Sequence, residues 1–280
     1  WTTLYSLFKE IDADLLKENL GIIFEEQLNR LTKLQGKASG QYNLPIEISK
    51  FLIDIVNLPD TCTVYNPFAG TGSLGLYLKE NQFYLAQEHN LVTYTIALLR
   101  AIAHNRLQKA YVFNQNSLKE WGFKSLDNKP ETKGFFDKFD LVFATPPFNA
   151  PLKGIEGEYG QIRTLEQFSI ENGLKVLKST GKLIAIVSPG FLSSSSVPEQ
   201  CLREHLVRND LLDTVILCPG GLLSHTSIRF AIIVINKEKK KKGVYRFIDA
   251  GKYVINISRQ ERKLNTEELI DVFKGEEDSD

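Results

Sequence analysis

The chain has 280 residues, 42% of them apolar, and 34 Lys plus Arg balance 34 Asp plus Glu. That length and apolar content suit one large α/β domain with a small appendage. Zero net charge excludes a uniformly basic nucleic-acid-coating protein, so any DNA contact falls to a local patch or a partner subunit.

In chain order, apolar residues at Leu4, Leu7, Phe8, Ile11 and Leu15, then Ile22, Ile23, Leu28 and Leu31, have helical spacing. They predict an N-terminal helical appendage over residues 1–40, closed by a loop from Gly36 to Gly40. A helix from Ile46 to Val56 opens just after Pro45 and ends near Pro59. Alternation of strand and helix then begins. Strands are expected at Thr61–Tyr65, Phe83–Gln87, Ala110–Asn114, Leu141–Ala144, Leu183–Val187, Leu211–Leu217, Phe230–Ile235 and Val244–Ile248. Helices are expected at about Gly72–Lys79, Leu91–Asn105, Leu165–Lys178 and Glu199–Arg208. This order implies an α/β fold, a doubly wound, mostly parallel sheet of seven main strands with helices on both faces. The last two strands lack an intervening helix and are expected to pair antiparallel. Between them, the run Lys237-Glu238-Lys239-Lys240-Lys241-Lys242 reads either as a solvated hairpin turn or as a phosphate-contacting knob. Pro151–Gly160, with three glycines, is expected to be a mobile loop, Ser193–Ser196 a flexible loop tip, and the acidic tail Gly275–Asp280 frayed.

Cys62, Cys201 and Cys218 are scattered through apolar surroundings, neither a disulfide framework nor metal-ligand spacing, so reduced core thiols and no metal are expected. His89, His104, His205 and His225 form no catalytic constellation and read as structural or surface residues. No segment has the apolar length of a membrane span or the layout of a signal peptide, so a cytoplasmic protein is expected. The chain starts at Trp1 and contains no Met, so a fragment, or a sequence written without modified Met residues, is expected.

Two loops carry the chemistry. The first follows the strand ending at Tyr65: Asn66-Pro67-Phe68-Ala69-Gly70-Thr71-Gly72-Ser73, with Gly75 completing a G-x-G-x-x-G pattern. Glycines permit a tight turn and close backbone approach to a nucleotide. Glu88, at the end of the next strand, offers a carboxylate able to accept from two ribose hydroxyls. The pattern alone fits a plain strand–helix turn, a nicotinamide site or an S-adenosylmethionine site. The second loop is Thr145-Pro146-Pro147-Phe148, at the end of the fourth strand. Two prolines fix its backbone before any ligand arrives. A dehydrogenase needs neither this loop nor the Asn-Pro-Phe before the glycines.

In the order Gly40-Gln41-Tyr42, glycine loop, Glu88, Thr-Pro-Pro-Phe, the chain resembles the methyltransferase core of Type I restriction-modification M subunits, an N6-adenine DNA methyltransferase family. The likeness continues through Glu166-Gln167-Phe168, Val187-Ser188-Pro189-Gly190-Phe191-Leu192 and Leu211–Leu217. The resemblance implies the S-adenosylmethionine-dependent methyltransferase fold, with a catalytic domain over 41–250 and a C-terminal extension over 251–280. It implies S-adenosyl-L-methionine as cofactor, its methionine part held by Gln41, Tyr42 and the loop Asn66–Ser73. Glu88 would hold the ribose, and Asn116, Ser117 and Leu118 would border the adenine ring. In the family a carboxylate usually stands at Asn116 and an Asn at Thr145. The catalytic set would be Thr145, Pro146, Pro147 and Phe148, acting on an adenine flipped out of DNA. The Asn side chain and the following Pro carbonyl accept from the amine, and the aromatic stacks on the base. The partners implied are DNA, a specificity (S) subunit and a restriction (R) subunit. A non-catalytic subunit of the same fold, serving assembly or DNA binding, is the alternative that Thr145 and Asn116 keep open.

Overall fold

The computed structural model describes residues 12–35, 44–123, 138–223, 227–257 and 262–278. The expected helices before residue 12 and the loop Gly36–Gly40 lie outside the described residues.

Helix α1 spans Ala13–Gln35 and α2 spans Ile46–Asp54. The alternating part runs β1 (Cys62–Asn66), a 3-10 segment Ser73–Tyr77, β2 (Gln82–Gln87), α3 (Leu91–Ala103), β3 (Ala110–Phe113) and β4 (Phe139–Ala144). A hairpin follows, β5 (Pro151–Gly157) and β6 (Gly160–Thr164), then α4 (Leu165–Val176) and β7 (Leu177–Val187). Next come α5 (Pro189–Ser193), α6 (Val197–Arg208), β8 (Leu212–Cys218), β9 (Phe230–Asn236) and β10 (Arg246–Asp249). The chain closes with β11 (Val254–Asn256), β12 (Arg262–Leu264) and α7 (Thr266–Asp278).

The main sheet has the order β10-β8-β9-β7-β4-β1-β2-β3. β9 is antiparallel to both neighbours, and the other pairings are parallel. The middle strands are apolar without alternation because both faces are covered. Leu141 and Phe143 of β4 and Ile184 and Ile186 of β7 enter one core, beneath α2 and α7. Phe139, Val142, Leu183 and Ala185 enter the other, with Trp121, Phe123, α4 and α6. Strand order reverses between the parallel strands β1 and β4: β2 and β3 are added on one side of β1, β4 and β7 on the other. In such sheets ligands bind outside the carboxyl ends of the strands at this switch point.

Several expectations need correction. The sheet holds eight strands, not seven. Phe230–Ile235 and Val244–Ile248 do not pair with each other: β9 lies between β7 and β8, and β10 joins the far edge, parallel to β8. The helix expected over Gly72–Lys79 is the short 3-10 segment. The glycine-bearing segment Pro151–Gly160 is ordered in the β5–β6 hairpin, with Gly154 and Gly160 supplying positive φ. Leu177 and Lys178 begin β7 and do not end α4. Residues 275–278 belong to α7.

The lysine run is neither wholly solvated nor a free knob. Lys239 is buried, its Nζ bonded to Asp210 and to the Leu212 carbonyl, over the Tyr245 ring. Lys237 Nζ donates to the carbonyls of Leu174 and Leu177, so both fasten elements together. At the Ser193–Ser196 turn, Arg203 donates to the carbonyls of Phe191 and Ser194. The three cysteines are free thiols, and burial pushes the Cys62 thiol up to about 12.

Candidate active site

A cavity of about 410 Å³ opens at the carboxyl ends of β1, β2 and β4, a size suited to a small-molecule ligand. The glycine loop forms its floor. Asn66, last in β1, accepts from Phe68 N through Oδ1 at 3.0 Å and donates from Nδ2 to the Tyr84 hydroxyl at 2.9 Å. The loop's entry is thereby fixed to β2 underneath, and burial raises the Tyr84 phenol far above its ordinary range. Gly72 sits at φ 78°, where L side chains are strained. Gly75 packs so closely that an added Cβ would lie 2.7 Å from the Tyr84 ring. These two glycines are requirements of the backbone turn and of packing, independent of any ligand.

Glu88 lies beyond the end of β2 with its side chain 12% exposed. One carboxylate oxygen accepts from Gly70 N at 3.1 Å, the other from Asn90 N at 2.8 Å. Each oxygen keeps a second lone pair. Asn90 also caps α3, accepting from Thr93 N at 3.0 Å. The carboxylate therefore joins the glycine loop to the start of α3 and still presents acceptors to the cavity.

Asn116 is exposed after β3, and its amide oxygen accepts from Leu118 N at 3.0 Å. Its NH₂ group and second lone pair remain for contact with a purine edge. Ser117 is buried beside it, and Leu118 lines the same wall.

Thr145, first after β4, is half-buried, and its hydroxyl donates to the Phe68 carbonyl at 3.2 Å. Pro146 is buried, Pro147 exposed, and the half-buried Phe148 ring lies nearly parallel to Phe230, at 6.5 Å and 20°. The loop's exit is held from below by Glu166, which is 1% exposed. Its carboxylate accepts from Asn149 N at 3.2 Å and from Ser188 N at 2.6 Å. Ser188 Oγ in turn donates to Asn149 Oδ1 at 2.9 Å, and Asn149 holds φ 51°.

The cavity thus brings together Asn66, Pro67, Phe68, Ala69, Gly70, Thr71 and Ser73 with Glu88, Asn116–Leu118 and Thr145–Phe148. Gln41 and Tyr42 lie outside the described residues. Gly72 shapes the turn without lining the cavity. Sequence reading missed Leu44, Leu74, Gln87, His89, Asn90, Thr93, Leu165, Ile186 and Leu223 in the walls. Of these only Asn90 carried a signal, as a capping residue before a helical run. Gln87 was not legible: it is fully buried, accepting from Tyr65 OH at 2.6 Å and donating to the Glu120 carbonyl at 2.8 Å. Among the described residues, no group of three or more His, Cys, Asp or Glu is placed to hold a metal ion, and no helix is long and apolar enough to cross a membrane.

A profile of the family described as N-6 DNA Methylase matches residues 16–280. The chain belongs to the N-6 DNA methylase family. Curated relatives of the chain include the Type I restriction enzyme HindI methylase subunit of Haemophilus influenzae, 26% identical over 250 residues, covering 84% of the chain and 54% of that protein. The MpnII methylase subunit of Mycoplasma pneumoniae is 28% identical over 286 residues, 92% of the chain and 52% of that protein. The chain spans about half the length of these relatives. Among solved structures, the type I restriction-modification methyltransferase subunit from Streptococcus thermophilus superposes with TM-score 0.71 at 22% identity, over 86% of the chain and 54% of its own. A structure described as covering assembly and conformational transition of the type I R-M system gives TM-score 0.73 at 18% identity, over 96% and 58%. The fold is that of the S-adenosylmethionine-dependent methyltransferases. Family membership removes the nicotinamide oxidoreductase alternative.

Proposed function

We propose that this chain transfers a methyl group from S-adenosyl-L-methionine to N6 of adenine in DNA. It does so as the modification subunit, or part of it, of a type I restriction-modification system. The cavity fits the cofactor on three counts. Glu88 offers spare carboxylate lone pairs for ribose hydroxyls. Gly70 leaves open space where a side chain would stand. Asn116, Ser117 and Leu118 offer polar and apolar contacts for a purine. When bound, the cofactor supplies a methyl group on a positively charged sulfur.

The observation that carries the proposal is the Thr145 hydroxyl. An exocyclic adenine amine is a weak nucleophile because its lone pair is delocalised into the ring. Its N–H groups must be held by acceptors for the lone pair to turn toward the methyl group. A hydroxyl has one proton and two lone pairs. Thr145 has committed its proton to the Phe68 carbonyl, so toward the cavity it is an acceptor. It can therefore do the accepting that an amide oxygen does in the family pattern, with the Pro146 carbonyl taking the second N–H. Phe148, backed by Phe230, is the stacking surface for the extruded base. Transfer would form the N6–CH3 bond as the methyl–sulfur bond breaks, returning the sulfonium to a neutral thioether and releasing the N6 proton to solvent. This geometry favours an enzyme over the non-catalytic relative.

Neutral overall charge supports division of labour: a specificity (S) subunit reads the DNA and a restriction (R) subunit joins the complex. The relatives' names and the assembly structure support such partners. The domain limits 1–40, 41–250 and 251–280 and a cytoplasmic location are part of the same reading. Transfer of labelled methyl from S-adenosylmethionine to duplex DNA, with and without the specificity subunit, tests the proposal. Label on adenine N6 is expected. Cofactor binding without any transfer in the assembled complex would point to the non-catalytic relative.

A further inference from the structure

Helix α1 contributes no residue to the cavity, yet a chain of buried and half-buried polar groups joins it to the glycine loop. Glu25 on α1 accepts from Arg100 Nε at 2.7 Å and pairs with Arg100 Nη2. His104 Nε2 lies 3.0 Å from the same carboxylate. On its other side, Arg100 Nη1 donates to Thr71 Oγ1 at 2.9 Å and to the Thr71 carbonyl at 3.2 Å. Thr71 lies between Gly70 and Gly72 and lines the cavity. Arg100 is 3% exposed, so its charge has exchanged water for these partners. Helix contact is close enough that a Cβ on Gly21 of α1 would meet the His104 ring at 2.8 Å.

We propose that Glu25 and Arg100 are positioning residues for the cofactor loop, so that docking of α1 on α3 sets cofactor affinity. The physical reason is the guanidinium's divided loyalty. Removing the Glu25 charge leaves a buried cation without its counter-ion. The guanidinium then gains by swinging toward water, and the movement takes away two donors from Thr71. A loop with glycines on both sides of Thr71 has little stiffness of its own, so losing this anchor loosens it even though Glu88 still holds Gly70 N.

The affinity claim rests on the cavity being the S-adenosylmethionine site, and the experiment separates the two. The full chain is prepared as wild type, Glu25→Gln and Glu26→Gln. Glu26 is an exposed control that pairs with Arg30 along its own helix. Amide hydrogen exchange without ligand reads loop order at Gly70–Ser73, and calorimetric titration with S-adenosylmethionine reads affinity. Glu25→Gln is expected to speed exchange at these amides severalfold and to raise Kd about tenfold, a shift of about 1.4 kcal/mol. Glu26→Gln should match wild type in both. In turnover assays the Glu25→Gln defect should fall on KM for the cofactor and be overcome at saturation, which a global loss of folded protein would not be. Unchanged loop exchange and unchanged Kd in folded Glu25→Gln overturn the inference. A wild-type chain that binds no S-adenosylmethionine overturns the cofactor reading and the affinity claim with it.

Discussion

The Thr145 hydroxyl donates to the main-chain carbonyl of Phe68, joining the exits of β4 and β1 across the switch point of the sheet. One bond therefore links the loop assigned to the base with the loop assigned to the cofactor. It also fixes the direction of the hydroxyl proton, which decides that Thr145 meets an incoming amine as an acceptor.

Glu88→Ala should weaken S-adenosylmethionine binding by about 1.5–3 kcal/mol, the scale for charge-assisted hydrogen bonds. The loss includes loop order, because Gly70 N and Asn90 N both lose their acceptor. Isothermal titration of the folded variant is the check, and affinity equal to wild type would move the ribose elsewhere.

Phe148→Ala should slow single-turnover methylation while leaving cofactor affinity alone. The extruded base loses a stacking surface worth about 1–3 kcal/mol. Phe230 lies behind the ring and does not replace it. Rapid-quench assays at saturating cofactor measure the effect.

Gly75→Ala should lower Tm without touching the cavity lining. The new methyl would sit 2.7 Å from the buried Tyr84 ring, and overpacking of this kind costs about 1–3 kcal/mol. Thermal unfolding by circular dichroism reads it directly.

Acid should unfasten α1. Burial alone would raise the Glu25 pKa, but hydrogen bonds and charge from His104 and Arg100 prevail and hold it at about 2, below the ordinary 4.5. A folded-state pKa below the unfolded value stabilises the fold above the unfolded pKa. That contribution is lost as pH falls from about 4.5 toward about 2. In denaturant titrations, wild type should lose more stability over this window than Glu25→Gln, and parallel pH profiles would contradict the assignment.

Much of the fold was legible because the central strands are buried on both faces and read as apolar runs, Leu141–Ala144 and Phe230–Ile235 among them. The two loops were legible because their backbones need Gly and Pro at set places. The β5–β6 hairpin was not: Gly154 and Gly157 interrupt the alternation that marks a strand. The parallel β8–β10 pairing was hidden because a short link suggested a hairpin, while β9 had already filled the place beside β8. Arg100, Glu25 and Glu166 were out of reach for another reason. Each acts through partners distant in sequence, Glu25 and Arg100 being 75 residues apart, and a lone charge in a helical run looks like a solvated face.

The central claim is that Thr145 is the amine acceptor in a working adenine methyltransferase. The direct test is N6-methyladenine measured by mass spectrometry in DNA after single turnover, comparing wild type with Thr145→Val in the presence of the specificity subunit. Valine keeps the shape and removes the hydroxyl. The account predicts methyladenine with wild type and a rate about 10²–10³ lower with Thr145→Val at saturating cofactor, the usual effect of losing one transition-state hydrogen bond. Equal rates in the two proteins, or no methyladenine from folded, cofactor-bound wild type, would contradict it.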